Sequence, residues 1–196
     1  MKRFHAVLIA AAALLAAISL AAQSQQQTPQ TAQQPSKPPF TLTSTGFEDG
    51  GVIPETFTGP TPTSFQNSPP LAWANAPDGT VSFVLLVHDL DGSINKRTDD
   101  DTHWLIYNIP GSATGLPEGV KPAVQLADGS VQALNSHNNP GYIGPGARGK
   151  YHHYTFEVYA LDIKLNVPTD ALRADIVNAM QGHILGKAAL VGRYKR

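Results

Sequence analysis

The chain has 196 residues, enough for one substantial core and too few for two comfortable domains once a leader is removed. Its 14 Lys and Arg against 15 Asp and Glu leave a formal charge of −1, so there is no basic field to hold a nucleic-acid backbone, and nucleic acid is excluded as a partner class. With 17 Gly and 16 Pro in a chain that is 41% hydrophobic, a turn-rich, mainly β fold is expected, and the absence of Cys removes any disulfide framework.

In chain order, Met1-Lys2-Arg3 is followed by an apolar run from Ala6 to Leu20 and then by Ala21-Ala22. This is the tripartite plan of a secretory signal peptide over residues 1–22. The run falls short of the roughly 20 residues a spanning helix needs, so cleavage is expected, leaving no membrane span and a periplasmic or secreted chain. Residues 23–39 are rich in Gln, Pro, Ser and Thr, a composition that cannot offset its own ordering entropy, and read as a disordered linker. The folded domain is then 40–196.

Within it, Phe40-Thr41-Leu42-Thr43 alternates as a strand, and the proline-rich span Gly59–Pro70 is a loop leading to Leu71-Ala72-Trp73. Val81–Val87 has the β-branched, unbroken apolar character of a strand buried on both faces, and it delivers His88 to Asp91 to its C-terminal end. Asp99-Asp100-Asp101 reads as a solvated loop. His103–Ile109 is a second strand, and simple alternation places His103 on the face of Leu105 and Tyr107. Tyr154–Leu161 alternates cleanly, with His152, Tyr154, Phe156 and Val158 on one face. A helix is expected from Thr169 or Asp170 to Gly182, burying Leu172, Ile176, Val177 and Met180, followed by a strand over Ala188–Tyr194.

Asp89 and Asp91 on one side of the first strand end, His152 and Tyr154 on one side of the other, and His103 between them are the groups able to converge on one pocket. The run Gly144-Pro145-Gly146-Ala147-Arg148-Gly149-Lys150 satisfies both G-x-G-x-x-G and G-x-x-x-x-G-K. Both mechanisms need a strand before the glycines and a helix after them, whereas here a turn cluster precedes and a strand follows, so the nucleotide reading fails on context. The loop is better read as a pocket wall of exposed backbone N–H groups. No serine has a G-x-S-x-G setting and no H-E-x-x-H occurs.

The ordered set Ser68-Pro69-Pro70-Leu71-Ala72-Trp73, Asp89-x-Asp91, His103-Trp104-Leu105-Ile106-Tyr107-Asn108-Ile109-Pro110, Leu116-Pro117-Glu118-Gly119, Pro140-Gly141-Tyr142-x-Gly144-Pro145, His152-x-Tyr154-x-Phe156-x-Val158 and Gly182-His183-x-Leu185 resembles the phosphatidylethanolamine-binding protein family, also called Raf kinase inhibitor-like proteins, and its bacterial branch most closely. The resemblance implies a β-sandwich of two antiparallel sheets with a C-terminal helix. It also implies a ligand-binding pocket lined by Asp89, Asp91, His103, Gly144, Pro145, His152 and Tyr154 that takes phosphate, a phosphorylated small molecule or a phospholipid head group. The chain departs from the family pattern at Leu90, Gly92-Ser93, Asp101-Thr102 and His153. A non-enzymatic binding role without cofactor or metal is expected. Inhibition of a kinase or protease through protein contact, and a metal-dependent hydrolase on the same Asp and His residues, are the alternatives, and a homodimer is left open.

Overall fold

The computed structural model describes residues 37–59, 67–93 and 100–196. The expected leader, the linker up to residue 36, the middle of the Gly59–Pro70 loop and Asp99 of the acidic run lie outside the described residues. The elements are β1 (Thr41–Thr43), β2 (Leu71–Ala74), β3 (Ser82–Asp89), β4 (Asp101–Pro110), β5 (Gly115–Leu116), β6 (Val131–Gln132), β7 (His152–Leu161), α1 (Arg173–Ala179) and β8 (Ile184–Tyr194). They form two antiparallel sheets, β1-β2-β5 and β6-β4-β3-β7-β8.

The larger sheet is covered on both faces. On the inner face Phe83, Leu85, Val87, Trp104, Ile106, Tyr154, Phe156 and Val158 pack with Leu42, Leu71 and Trp73 of the small sheet. On the outer face Val84, Leu86, Leu105, Tyr107 and Leu161 pack with Ile176 and Met180 of the helical segment. This is why every residue of β3 is buried and its sequence runs apolar without a break from Phe83 to Val87. Each fully buried Val, Leu or Phe contributes about 1.5–3 kcal/mol, so the two-sided burial of β3 anchors the fold and fixes its register.

Two irregularities in β4 set what reaches each face. Val87 pairs with Trp104 while His88 pairs with Thr102, so His103 is an extra residue in β4, a β-bulge. The bulge reverses the alternation for residues before Trp104. His103 therefore does not share the face of Leu105 and Tyr107, as simple alternation suggests, but turns inward, where its ring meets that of Tyr154 edge-on at 5.0 Å. Further along, Phe83 pairs with Ile109 and Leu85 with Ile106, and the extra residue includes Asn108 at φ 57°.

The helix is shorter than expected, Arg173–Ala179. Neither Thr169 nor Asp170 is its N-cap; Leu172 holds that position in extended backbone, and its N–H donates to the Asp175 carboxylate at 3.0 Å. Only part of the expected stripe is buried: Ile176 and Met180 face the sheet, while Leu172 (62% exposed) and Val177 (40%) do not. Leu172 lies outside the helical repeat, and a helix of this length touches the sheet along one narrow line. The last strand begins earlier than expected, at Ile184, because Ile184–Lys187 pair with Tyr159–Leu161.

Candidate functional site

The C-terminal end of β3, the N-terminal ends of β4 and β7 and the loop before β7 meet at one end of the large sheet. Asp89 closes β3 on the inner face and is 5% exposed. Its Oδ2 accepts from His152 Nδ1 at 2.6 Å, and its Oδ1 accepts from the backbone N–H groups of Asp91 (2.9 Å) and Gly92 (3.1 Å). These last two bonds form an Asx turn, and they end the strand. Asp91 therefore does not share the inner side with Asp89. Its carboxylate accepts from the backbone N–H and Nδ1 of His153, both at 2.8 Å, with Lys150 Nζ at 3.8 Å. Those contacts, the His153 side chain first, hold the Asp91 carboxyl below its usual pKa.

Tyr154 sits across from Asp89 in register, and its ring stacks on His152 at 6.4 Å. Its hydroxyl oxygen accepts from the Ala147 N–H at 3.3 Å. Burial, with the Asp89 charge nearby, pushes the phenol pKa well up, so this group keeps its proton. His103 Nδ1 lies 2.7 Å from the Ile143 carbonyl, which can only accept, so Nδ1 carries the proton. Burial lowers the His103 pKa against the opposing pull of that carbonyl and of Asp101 and Asp89. The ring is thus neutral at pH 7, with a bare Nε2.

The glycine-rich loop is pinned from several sides. Ile143 N–H donates to the His103 carbonyl (2.8 Å), Gly59 N–H to Pro145 O (2.6 Å), Arg196 N–H to Ala147 O (2.7 Å), and Tyr142 Oη to Phe57 O (2.8 Å). Gly144 packs backbone on backbone: a Cβ there would lie 2.2 Å from the Thr58 carbonyl carbon. Pro145 is buried beside it. The structure therefore brings Asp89, His103, His152 and Tyr154 together beside the Gly144–Pro145 wall and sets Asp91 apart on the rim.

Sequence reasoning missed Asp101. It pairs with Asp89 across β3 and β4, and its Oδ2 lies 3.8 Å from His103 Nε2. Gly92 sits against both carboxylates; a Cβ there would lie 3.2 Å from Asp89 Oδ2 and 3.3 Å from Asp101 Cβ. Asp101 and His103 are two apart on one strand, a parity signal that the acidic run concealed.

Behind the cluster, on the outer face, His88 lies between Asp100 Oδ2 (2.5 Å) and Glu157 Oε2 (3.4 Å). Arg173 pairs with Asp100 and donates to Thr102 Oγ1 at 3.1 Å, while Glu157 also binds Lys187 Nζ (2.8 Å) and Tyr159 Oη (2.7 Å). Burial opposes the charged form of His88, but Glu157 and Asp100 outweigh it and raise its pKa. The His88 bond, assisted by Lys187 and Tyr159, lowers Glu157 to about 2. Among the described residues no group of His, Asp and Glu has the arrangement of a metal site.

Among the described residues, fold and site together define a two-sheet β-sandwich with one α-helix and an Asp, His and Tyr cluster at the ends of its central strands. The family model described as phosphatidylethanolamine-binding protein matches residues 43–195, and the chain belongs to that family. It is 41% identical over 151 residues to a UPF0098 protein of Methanothermobacter thermautotrophicus, covering 76% of this chain and 95% of the relative. It is 31% identical to the UPF0098 protein YbhB of Escherichia coli, covering 78% and 98%. Among solved structures it is similar to the phosphatidylethanolamine-binding protein homologue CT736 of Chlamydia trachomatis, with TM-score 0.71, 33% identity and coverage of 82% and 99%. YbcL of Escherichia coli is similar with TM-score 0.70, 27% identity and coverage of 81% and 99%.

Proposed function

We propose that this domain is a binding protein for a phosphoryl group, free or carried on a small molecule or lipid head group, at the ends of β3, β4 and β7. The observation that carries the reading is the Asp89–His152 contact at 2.6 Å. The carboxylate takes up Nδ1 and sets the ring, leaving Nε2 to meet a ligand oxygen when that nitrogen carries a proton. The proton-bearing Tyr154 hydroxyl and the exposed Gly146 backbone beside it add polar groups to the same place.

Binding is favoured over chemistry because the central carboxylate and phenol of the cluster are already committed. Asp89 accepts three hydrogen bonds, His103 Nδ1 is held on a carbonyl, and Tyr154 is raised away from ionisation. The leader expected over residues 1–22 would place this activity outside the cytoplasm.

The test is a titration of inorganic phosphate followed through histidine NMR signals. The His152 resonances should move on titration, and His152→Ala should abolish the response; an unchanged titration curve in that variant would remove His152 from the site.

A further inference from the structure

We infer that the outer-face corner where β7 starts and β8 ends is a docking surface for an extended acidic segment of a partner polypeptide, with Arg193 and Lys195 over the Tyr151 ring at its centre. The surface lies on the opposite face of the sheet from the Asp, His and Tyr cluster and is independent of the phosphoryl reading.

The cations of the domain are unevenly neutralised. Lys37, Arg173 and Lys187 each sit on a carboxylate, that of Asp78, Asp100 and Glu157 in turn. Arg148, Arg193, Lys195 and Arg196 have no carboxylate at salt-bridge distance among the described residues, and Lys150 has only Asp91, at 3.8 Å. These five come together because β7 and β8 pair there: His153 lies across from Arg193, and the Arg196 N–H donates to the Ala147 carbonyl at 2.7 Å. The acids nearby are already engaged. Asp91 accepts from His153, Asp49 from the Val191 N–H at 2.8 Å, and Glu157 from Tyr159 and Lys187. The corner therefore keeps a positive charge that the chain as a whole, at −1, does not have.

Two of these cations are positioned by contacts that leave their charge free. The Tyr151 ring, 39% exposed, has Arg193 Cζ at 5.5 Å and Lys195 Nζ at 4.8 Å over it, and Arg193 Nε also donates to the Gly50 carbonyl at 2.8 Å. A cation held over a ring keeps its outer N–H groups for an anion. Residues two apart in extended backbone are about 7 Å apart, which is also the interval at which an extended chain presents side chains to one side. Arg193 and Lys195 thus match carboxylates at alternate positions of a strand-like segment.

The surroundings favour a chain over a flat bilayer. The helical segment packs on Val84, Leu86, Leu105, Tyr107 and Leu161 and leaves the outer side of β8 uncovered, with Lys187, Ala189 and Arg193 exposed along it. A helix is about 10 Å thick, so this side of β8 is a ledge one strand wide beside a taller neighbour. An extended polypeptide fits such a ledge along its length.

The test is fluorescence anisotropy of a dye-labelled peptide of alternating Glu and Ser with the full-length chain, at low and then raised salt. The wild type should bind it, release it as salt rises, and ignore an alternating Lys and Ser peptide. Arg193→Gln combined with Lys195→Gln should weaken binding about tenfold, the worth of two exposed ion pairs. Lys121→Gln combined with Lys164→Gln removes the same charge from other exposed positions and should change nothing. Tyr151→Ser should weaken binding by freeing both cations, whereas Tyr151→Phe, which keeps the ring, should not. Lys195→Gln alone alters a single exposed side chain and should still cost about threefold if the double variant fails to fold. No binding by the wild type, an equal loss in the Lys121 and Lys164 control, or capture by phosphatidylglycerol vesicles without binding of the peptide overturns the assignment.

Discussion

Asp89 and His152 make the shortest side-chain contact of the inner cluster, 2.6 Å, although the strand register sets Asp89 across from Tyr154 rather than from His152. The contact is diagonal, from the last residue of β3 to the first of β7, and it ties both strand ends together where the ladder stops. Asp89→Asn keeps the shape but turns one of these oxygens into a donor and leaves His152 or a backbone N–H poorly paired. A loss of about 1–3 kcal/mol in chemical denaturation is expected, with phosphate binding weakened in parallel. A variant as stable as the wild type would show that the three donors around Asp89 are satisfied elsewhere.

Gly144→Ala should be worse than its size suggests. The new methyl would press on the Thr58–Gly59 backbone, which is itself hydrogen bonded to Pro145, so neither side can give by rotating a side chain. Overpacking of this kind costs about 1–3 kcal/mol, and here it also lifts the loop wall from His103. Gly146→Ala, where nothing lies within contact distance of the added atom, is the control and should leave the melting temperature unchanged. Equal effects at the two positions would contradict the packing.

The parts of this architecture that were legible in the sequence are those in which local alternation runs undisturbed. β7 is the clear case: His152, Tyr154, Phe156 and Val158 share the inner face because no irregularity interrupts that end of the strand. β3 was legible because burial on both faces leaves an unbroken apolar run. β4 was legible as a strand but not as a surface, since the bulge at His103 depends on pairing with β3 and leaves no local mark. Asp101 was hidden for a related reason: three consecutive aspartates read as solvated loop, and only the register with Asp89 separates the third from the others. Asp91 could have been placed from its own neighbourhood, because Asp two and three residues before backbone donors invites an Asx turn that ends the strand. His88 had no such signal, as its partners Asp100, Glu157 and, through Asp100, Arg173 come from separate elements.

The outer-face network around His88 predicts a pH dependence of stability with a definite sign. The folded pKa of His88 is raised above its ordinary 6.5, so its contribution is fully present below that value and is lost as pH rises through the raised pKa. Glu157 is the opposite case: lowered to about 2 from 4.5, its contribution is present above 4.5 and is lost as pH falls through 2. The groups facing His88 are Asp100 and Glu157, with Arg173 and Lys187 behind them. His88→Gln removes the titrating ring but keeps a polar side chain. The melting temperature of the wild type should exceed that of His88→Gln most at pH 5.5 to 6, and the gap should narrow steadily toward pH 9. A gap independent of pH across that range would mean that His88 is held as a neutral side chain.

Asn108 supplies a prediction that separates backbone strain from hydrogen bonding. It occupies left-handed backbone in β4, and its side chain donates to the Leu165 carbonyl (2.9 Å) while accepting from the Leu165 N–H (2.7 Å), fastening β4 to the segment that leads into α1. Asn108→Gly keeps the conformation at little steric cost and removes both bonds, so a loss of about 1 kcal/mol per bond is expected. Asn108→Ala removes the same bonds and must also hold a Cβ in the left-handed region, which adds about 1–2 kcal/mol. Denaturation of the two variants side by side therefore gives the strain directly as their difference. Alanine matching glycine would show that β4 relaxes out of the left-handed turn, and its pairing with Phe83 and Leu85 would then have to shift.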